Sequence, residues 1–398
     1  MSSLAAITRA LVRFHKILAG IIVLEYALTF AIIMVSVNVL FMRMEAANQG
    51  SGIDGRHVWV VQGHGADGVV HRYQMRFAKK WFESLSGVGA VSITSSVPFL
   101  GANSVSVPIG LPLSAAAGWM EPMQVEAYQV DAAFTRTLGV RIVRGRNFLA
   151  TELGHRVGDM GNAIMLSQPL AERLFHGAAA VGQQVMLSDR MVTVVGVVAP
   201  LAAPNYLGAQ RTNFTVLLPT TAIGRSVLAF TFTGPEETVF DSLEALNEHD
   251  ADEVSWGLRP YGEIRADYFK PDRQAVLALA AVVVIVMLVA LCGLIGLTNY
   301  WVAQRRAQIA IRRALGAKKA HIVSHFLLES TLLVVAGLVI GWCAEVVLAR
   351  YFGLLPLGGD PRIWSLSLLL IAAMAAVTVF VSLWRWLRLD PANLLRAA

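Results

Sequence analysis

Cysteine is nearly missing from this chain: 398 residues contain two. Both Cys292 and Cys343 lie in long apolar runs, so the water-facing part is expected to hold no disulfide, whatever its redox compartment. Charge is scarce as well. Only 15% of residues are charged while 56% are hydrophobic, and mean hydropathy is +0.57. That balance excludes an ordinary soluble protein of this length. The phosphate-cradling pattern G-x-x-x-x-G-K-[ST] occurs nowhere in these residues. No G-x-S-x-G elbow surrounds Ser95 and Ser96, which precede Pro98 and read as a strand-end turn. His57, His64 and His71 recur every seven residues, but Gly63 and Gly65 flank the middle one and work against a helix that would align them. No cysteine or acidic cluster completes a ligand set. The sequence thus offers no catalytic residue, cofactor site or metal site, and an enzyme is not expected.

Hydrophobic length is what the sequence does have. Four stretches supply the roughly 20 apolar residues needed to cross about 30 Å of hydrocarbon: 17–42, 274–300, 323–349 and 363–387. The first contains one charge, Glu25, and the second none. The third contains Glu329 and Glu345, and the fourth is uncharged until Arg385. Arg9, Arg13 and Lys16 precede the first stretch, as in a signal peptide. Its apolar run is longer than the roughly 7–15 residues of a signal core, and no A-x-A site follows promptly, so it reads as an uncleaved anchor.

Charge sorts these segments by side. Residues 43–273 hold 19 Lys and Arg against 22 Asp and Glu, whereas the remaining 167 residues hold 14 against 5. The basic excess belongs to the membrane part and is no argument for nucleic acid. By the positive-inside rule the N-terminus (1–16), the loop 301–322 and the C-terminus (388–398) are cytoplasmic. Residues 43–273 and the short loop 350–362 are then outside.

Within 43–273 the period of the apolar residues predicts a strand at 57–63, an amphipathic helix at 72–86 and a strand at 88–96. Near the far end it predicts a strand at 227–233, a helix at 236–249 and a strand at 253–261. Between about 100 and 225 lies a mainly β region, its clearest strands at 184–188 and 191–198 around the turn Asp189–Arg190. The expected fold class is an α+β membrane protein with four transmembrane helices. A large extracytoplasmic α+β domain stands between spans one and two: a β-α-β subdomain split between both ends, plus an inserted β-rich subdomain. Pairing of the two ends would bring residues 43 and 273 together, as entry and exit through one membrane require.

The densest cationic run, "QRRAQIAIRRALGAKKAH" at 304–321, carries six positive charges and no acid. Topology explains the charge but not its arrangement. On a helical wheel Arg305, Arg306, Arg312, Arg313 and Lys319 gather on one side, with Ala307, Ala310, Ile311 and Ala314 on the other. Gly316 supplies a break before the next span. Such a helix lies on anionic lipid or docks a cytosolic partner; pattern alone leaves both open. Glu25 sits well inside the first span, where a carboxylate is costly and faces a bundle interior or a partner. Together with Asn38 it is expected to mark a subunit interface, the alternative being a protonated bystander. Glu345 lies near the outer end of its span and is expected to reach water.

The stretch "QRRAQIAIRRALGAKKAHIVSHFLLES" resembles the signature loop of FtsX-like ABC transporter permeases, near R-x-x-E-I-[GA]-[IL]-[RK]-x-A-[LV]-G-A with L-L-E-S entering the next span. Ile309, Ala310, Ile311, Arg312, Ala314, Leu315, Gly316 and Ala317 fall on its positions, and Glu329 and Ser330 on the span entry. Gln308 departs from the usual Glu, removing a charge within reach of Arg312 at i+4. "DPANLL" at 390–395 resembles the family's terminal motif. "GVGAVSITSSVPF", "FTRTLGVRIVRGRNF", "NAIMLSQPLAERLF", "VGQQV" and "VTVVGVV" resemble, in order, the extracytoplasmic domain of MacB-type permeases.

The resemblance implies a dimeric permease subunit of the MacB/LolCE/FtsX class in a bacterial inner membrane. The loop 301–322 is then the coupling helix that fits a cytosolic ABC ATPase, and ATP and Mg sit on that separate polypeptide rather than on this chain. Its motion is transmitted outward to drive efflux or extraction of a peptide, antibiotic or siderophore, with a periplasmic adaptor and an outer-membrane duct as further partners. The alternatives within the resemblance are an FtsX-like scaffold that activates cell-wall hydrolases, which usually has a much smaller outer domain, and a lipoprotein-releasing permease.

Overall fold

The computed structural model describes residues 16–65, 70–101, 105–112, 119–154, 161–205, 213–220, 226–250, 253–304, 319–352 and 361–387. The chain divides into two compact units, Glu45–Asp272 and the remainder, Met1–Met44 with Arg273–Ala398.

The first unit is built on a sheet whose strands come from both of its ends. These are β1 (Val58–Gly65), β2 (Val88–Thr94), β10 (Val227–Phe232) and β11 (Val254–Pro260), in the order β11-β1-β10-β2 and antiparallel throughout. Helix α2 (Arg72–Glu83) connects β1 to β2, and α5 (Glu236–His249) connects β10 to β11. This is the β-α-β-β-α-β order of a ferredoxin-like sheet. The strand reading at 57–63 thus runs two residues short of the end of β1, and the helix at 72–86 stops at Glu83. Both faces of the central strands are covered, which explains their unbroken apolar runs. Trp59 and Val61 pack with Phe82, Phe230 and Leu246 beneath the helices, while Val58, Val60, Val227 and Ala229 point the other way.

Where a ferredoxin-like fold has a short turn between its second and third strands, this chain inserts residues 95–226. Their strands are β3 (Val105–Pro112), β4 (Trp119–Val130), β6 (Ala163–Ser167), β7 (Gln184–Leu187), β8 (Arg190–Val198) and β9 (Thr215–Pro219). The pairings β4-β3-β7-β8-β6-β9 continue until β9 pairs in parallel with β4, so the six strands close into a ring. A ring leaves no edge strand unpaired. Val107, Ile109, Val125, Ile164, Val185, Val194 and Val216 fill it, with Leu170 of α4 (Gln168–Phe175). β5 (Ile142–Gly145) pairs with β8 outside the ring. The open sheet joins the ring through one residue pair, Thr94 with Val130. A shared cluster around Tyr128, Phe134, Leu138 and Met165, together with Val58 and Ala229, then packs the two parts together.

The second unit contains α1 (Lys16–Asn48), α7 (Lys270–Gln304), α8 (Lys319–Phe352) and α9 (Pro361–Leu387); α1 and α7 run across its boundaries at 44/45 and 272/273. All four contain a stretch long and apolar enough to cross a membrane. Ile22, Tyr26, Phe30, Ile33 and Val37 of α1 recur at helical spacing and are buried against Ala290, Leu294, Leu333 and Met374. Ile17, Ile21, Leu24, Leu28 and Ile32 take the opposite face and stay exposed, as lipid-facing residues do.

Candidate functional site

Arg305, Arg306, Gln308, Ile309, Ile311, Arg312, Arg313, Leu315, Gly316 and Ala317 lie outside the described residues, as does the terminal motif 390–395. The intramembrane polar residues are described. Asn38 and Glu329 are buried, and Glu25 is half-buried between the inner and lipid-facing stripes of α1. Glu345 differs from its expected access to water: it is 7% exposed, because its place on α8 turns it toward the other helices.

Glycines decide how closely α1 can be approached. A Cβ on Gly337 would stand 2.6 Å from the Tyr26 Cβ and 3.0 Å from the Val23 carbonyl oxygen. One on Gly341 would stand 2.6 Å from the Ala27 carbonyl oxygen. Gly337 and Gly341 are four apart on α8, the small-xxx-small spacing that lets two membrane helices touch backbone to backbone. At Gly293 of α7 the neighbour is the Glu25 carboxylate, which occupies the space a Cβ would take. Sequence reasoning passed over this set; "GLVIG" inside an apolar run was the available signal.

In the unit Glu45–Asp272 the entering and leaving chain segments are tied together. Arg265, on α6 (Tyr261–Tyr268), donates to the carbonyl of Ala47 at 3.2 Å and to that of Gln49 at 2.8 Å. Its guanidinium also lies over the Phe99 ring, 5.8 Å from the centroid. Phe99 is fully buried against Phe269 and Tyr268, with its backbone at φ +61°. A non-glycine residue persists there only where the surroundings hold it, at a cost of about 1–3 kcal/mol. Nearby, the Tyr128 hydroxyl donates to the Ala202 carbonyl. Burial pushes the Tyr128 pKa well up, so the group remains a donor across the physiological range. Burial likewise pushes Tyr261 up to about 12. These residues have no nucleophile or acid–base pair among them; the arrangement is a mechanical tie.

Two family models match the chain. The MacB-like periplasmic core domain covers residues 26–245, more than half of the sequence, and the FtsX-like permease C-terminal domain covers 280–391. The macrolide export ATP-binding/permease protein MacB 1/2 of Paracoccus denitrificans (strain Pd 1222) is 25% identical over 261 residues, 63% of this chain and 37% of that protein. The ABC transporter permease YknZ of Bacillus subtilis (strain 168) is 22% identical over 220 residues, 53% of this chain and 54% of that one. The chain therefore spans about a third to a half of the length of these relatives. The crystal structure of the periplasmic region of MacB from Actinobacillus actinomycetemcomitans aligns with 55% of this chain and 95% of that one, at TM-score 0.37 and 12% identity. With a periplasmic core match over more than half of its length and the permease C-terminal match over three of its four apolar helices, this chain belongs to the family of FtsX-like, MacB-type permeases.

Proposed function

We propose that this multi-pass membrane protein is the permease subunit of an ABC transporter that passes the motion of a separate cytosolic ATPase to its outer unit, driving efflux or extraction of a substrate such as a peptide or antibiotic. Both termini and the loop 301–322 face the cytoplasm of the bacterial inner membrane, and residues 43–273 stand outside as a split β-α-β part with its β insert. A second permease subunit completes the transporter, and a periplasmic adaptor with an outer-membrane duct receives the substrate.

The observation that carries this reading is the order of the two family matches, an outer core domain followed by the permease C-terminal domain across the last three spans. Two further features support it: the basic excess outside residues 43–273, and the alignment of Ile309, Ala310, Ile311 and Arg312 with the family's loop motif. In this reading Arg305, Arg306, Arg312 and Arg313 hold the loop inside, and Ile309, Ile311 and Leu315 seat it on the ATPase. Gly316 supplies the break before the next span, and Ala317 falls on the family's motif beside it. Replacing Arg312 and Leu315 together should abolish stimulation of the ATPase by the reconstituted permease while leaving its membrane insertion unchanged. Stimulation at the wild-type level in the double variant would remove the coupling assignment.

A further inference from the structure

The outer unit has a cleft of about 500 Å³ where its open sheet meets the inserted ring. Arg76 and Lys79, one turn apart on α2, form one wall; Ala132, Ala133 and Arg136, on and before α3 (Phe134–Thr137), form another. Ile93 of β2, Asp131, Asn147 and Leu153 complete the lining. The location is a typical one for a small-ligand site, between two packed parts of a fold, and the volume is in the range such sites have.

The polar groups of the cleft divide into two sets. Asp131 is saturated by protein donors. Its Oδ1 accepts from the Ser92 hydroxyl at 2.6 Å and the Ala133 amide at 3.1 Å, and its Oδ2 accepts from the Ile93 amide at 3.1 Å and Lys79 Nζ at 2.8 Å. Asn147 is similarly engaged: it donates to the Ala132 carbonyl and the Thr135 hydroxyl and accepts from the Phe148 amide. Both side chains are engaged within the protein. Arg76 and Arg136 stand apart from them. Among the described residues no carboxylate pairs with either guanidinium, although both line the cleft and the surrounding segment is net acidic. Two guanidinium groups thus line one cleft together with the apolar side chains of Ile93 and Leu153, and a guanidinium can make paired N–H···O bonds to an oxyanion.

We infer that this cleft binds a small amphipathic anion, a carboxylate or phosphate group held between Arg76 and Arg136 with a compact apolar body against Ile93 and Leu153. The inference concerns the outer unit alone and stands whether or not an ATPase couples to the membrane unit. Bound there, such a ligand joins α2 to α3 across the single-pair connection of sheet and ring, and so stabilises the outer unit by mass action.

The test is calorimetry on the full chain in detergent micelles, with N-acetyl-leucine, N-acetyl-leucinamide and inorganic phosphate as probes. N-acetyl-leucine should bind and phosphate should compete with it more weakly, while the neutral amide should show no binding. Arg76→Gln and Arg136→Gln should each weaken N-acetyl-leucine at least fivefold, with unchanged far-ultraviolet dichroism, since both side chains are exposed. Equal binding of acid and amide would overturn the proposal, as would undiminished affinity in both variants or no binding at all. Binding of phosphate without N-acetyl-leucine would overturn the apolar-bodied ligand and leave a bare phosphate site in its place.

Discussion

At the residue scale, Gly293, Gly337 and Gly341 look alike in sequence and differ in what surrounds them. The contacts that a Cβ would make at Gly337 and Gly341 are largely to backbone and Cβ atoms of α1, which can move only if a helix moves. Overpacking of that kind costs about 1–3 kcal/mol. The contact at Gly293 is to the Glu25 carboxylate, the far end of a flexible side chain. Alanine is also the better helix former by roughly 1 kcal/mol. The two costs therefore resolve differently: Gly337→Ala should be destabilising, while Gly293→Ala should be neutral or mildly stabilising. Thermal unfolding of the purified chain in detergent checks this through the order of the two midpoints. A Gly293→Ala midpoint below that of Gly337→Ala would contradict the close approach of α8 to α1.

At the element scale, Arg265 connects α6 to the end of the segment that leaves α1. Its bonds to Ala47 and Gln49 are charge-assisted and only partly buried, so their combined loss is expected to cost about 1–3 kcal/mol. Arg265→Ala should raise hydrogen exchange at residues 47–53 well above the wild type while the ring amides of β6 and β8 keep their protection. Arg265→Lys should recover only part of that protection, because an ammonium cannot serve two carbonyls with a planar fork. Unchanged exchange at 47–53 in the alanine variant would show that the tie is made by other groups. Elements with a clear period were legible beforehand. α5 was placed at its observed bounds, with Val239, Ser242 and Leu246 buried at helical spacing, and β2, β7 and β8 to within about two residues, where apolar runs rich in β-branched residues stop at turns. β6 and β9 were not placed. Ala163–Ser167 and Thr215–Pro219 are buried at every position, so neither alternation nor helical spacing marks them. The closure of the ring depends on β9 meeting β4 in parallel, a pairing of residues almost 90 positions apart that no local pattern encodes.

At the scale of the whole molecule, composition carries more information than any single motif. The chain's two compact units divide at 44/45 and 272/273, beside the positions where hydropathy and charge sign change in the sequence. Solvation is the common cause: a hydrocarbon environment excludes charge, and the cytoplasmic side retains Lys and Arg. The membrane contacts were illegible by comparison, since Glu345 and the Gly337–Gly341 pair acquire their meaning only from what other helices place against them. The asymmetry of Lys and Arg between the segments sets an expected sidedness that the fold does not depend on. Cys292 and Cys343 are both free, so a background with both changed to serine is needed first. On that background Asp189→Cys, in the exposed turn between β7 and β8, should react with a membrane-impermeant maleimide on intact spheroplasts. Arg313→Cys should react only after lysis. Labelling of Arg313→Cys in intact spheroplasts would invert the proposed topology and remove the loop 301–322 as the proposed docking site. A silent Asp189→Cys that reacts after lysis would place the unit Glu45–Asp272 in the cytoplasm and overturn the proposed periplasmic role.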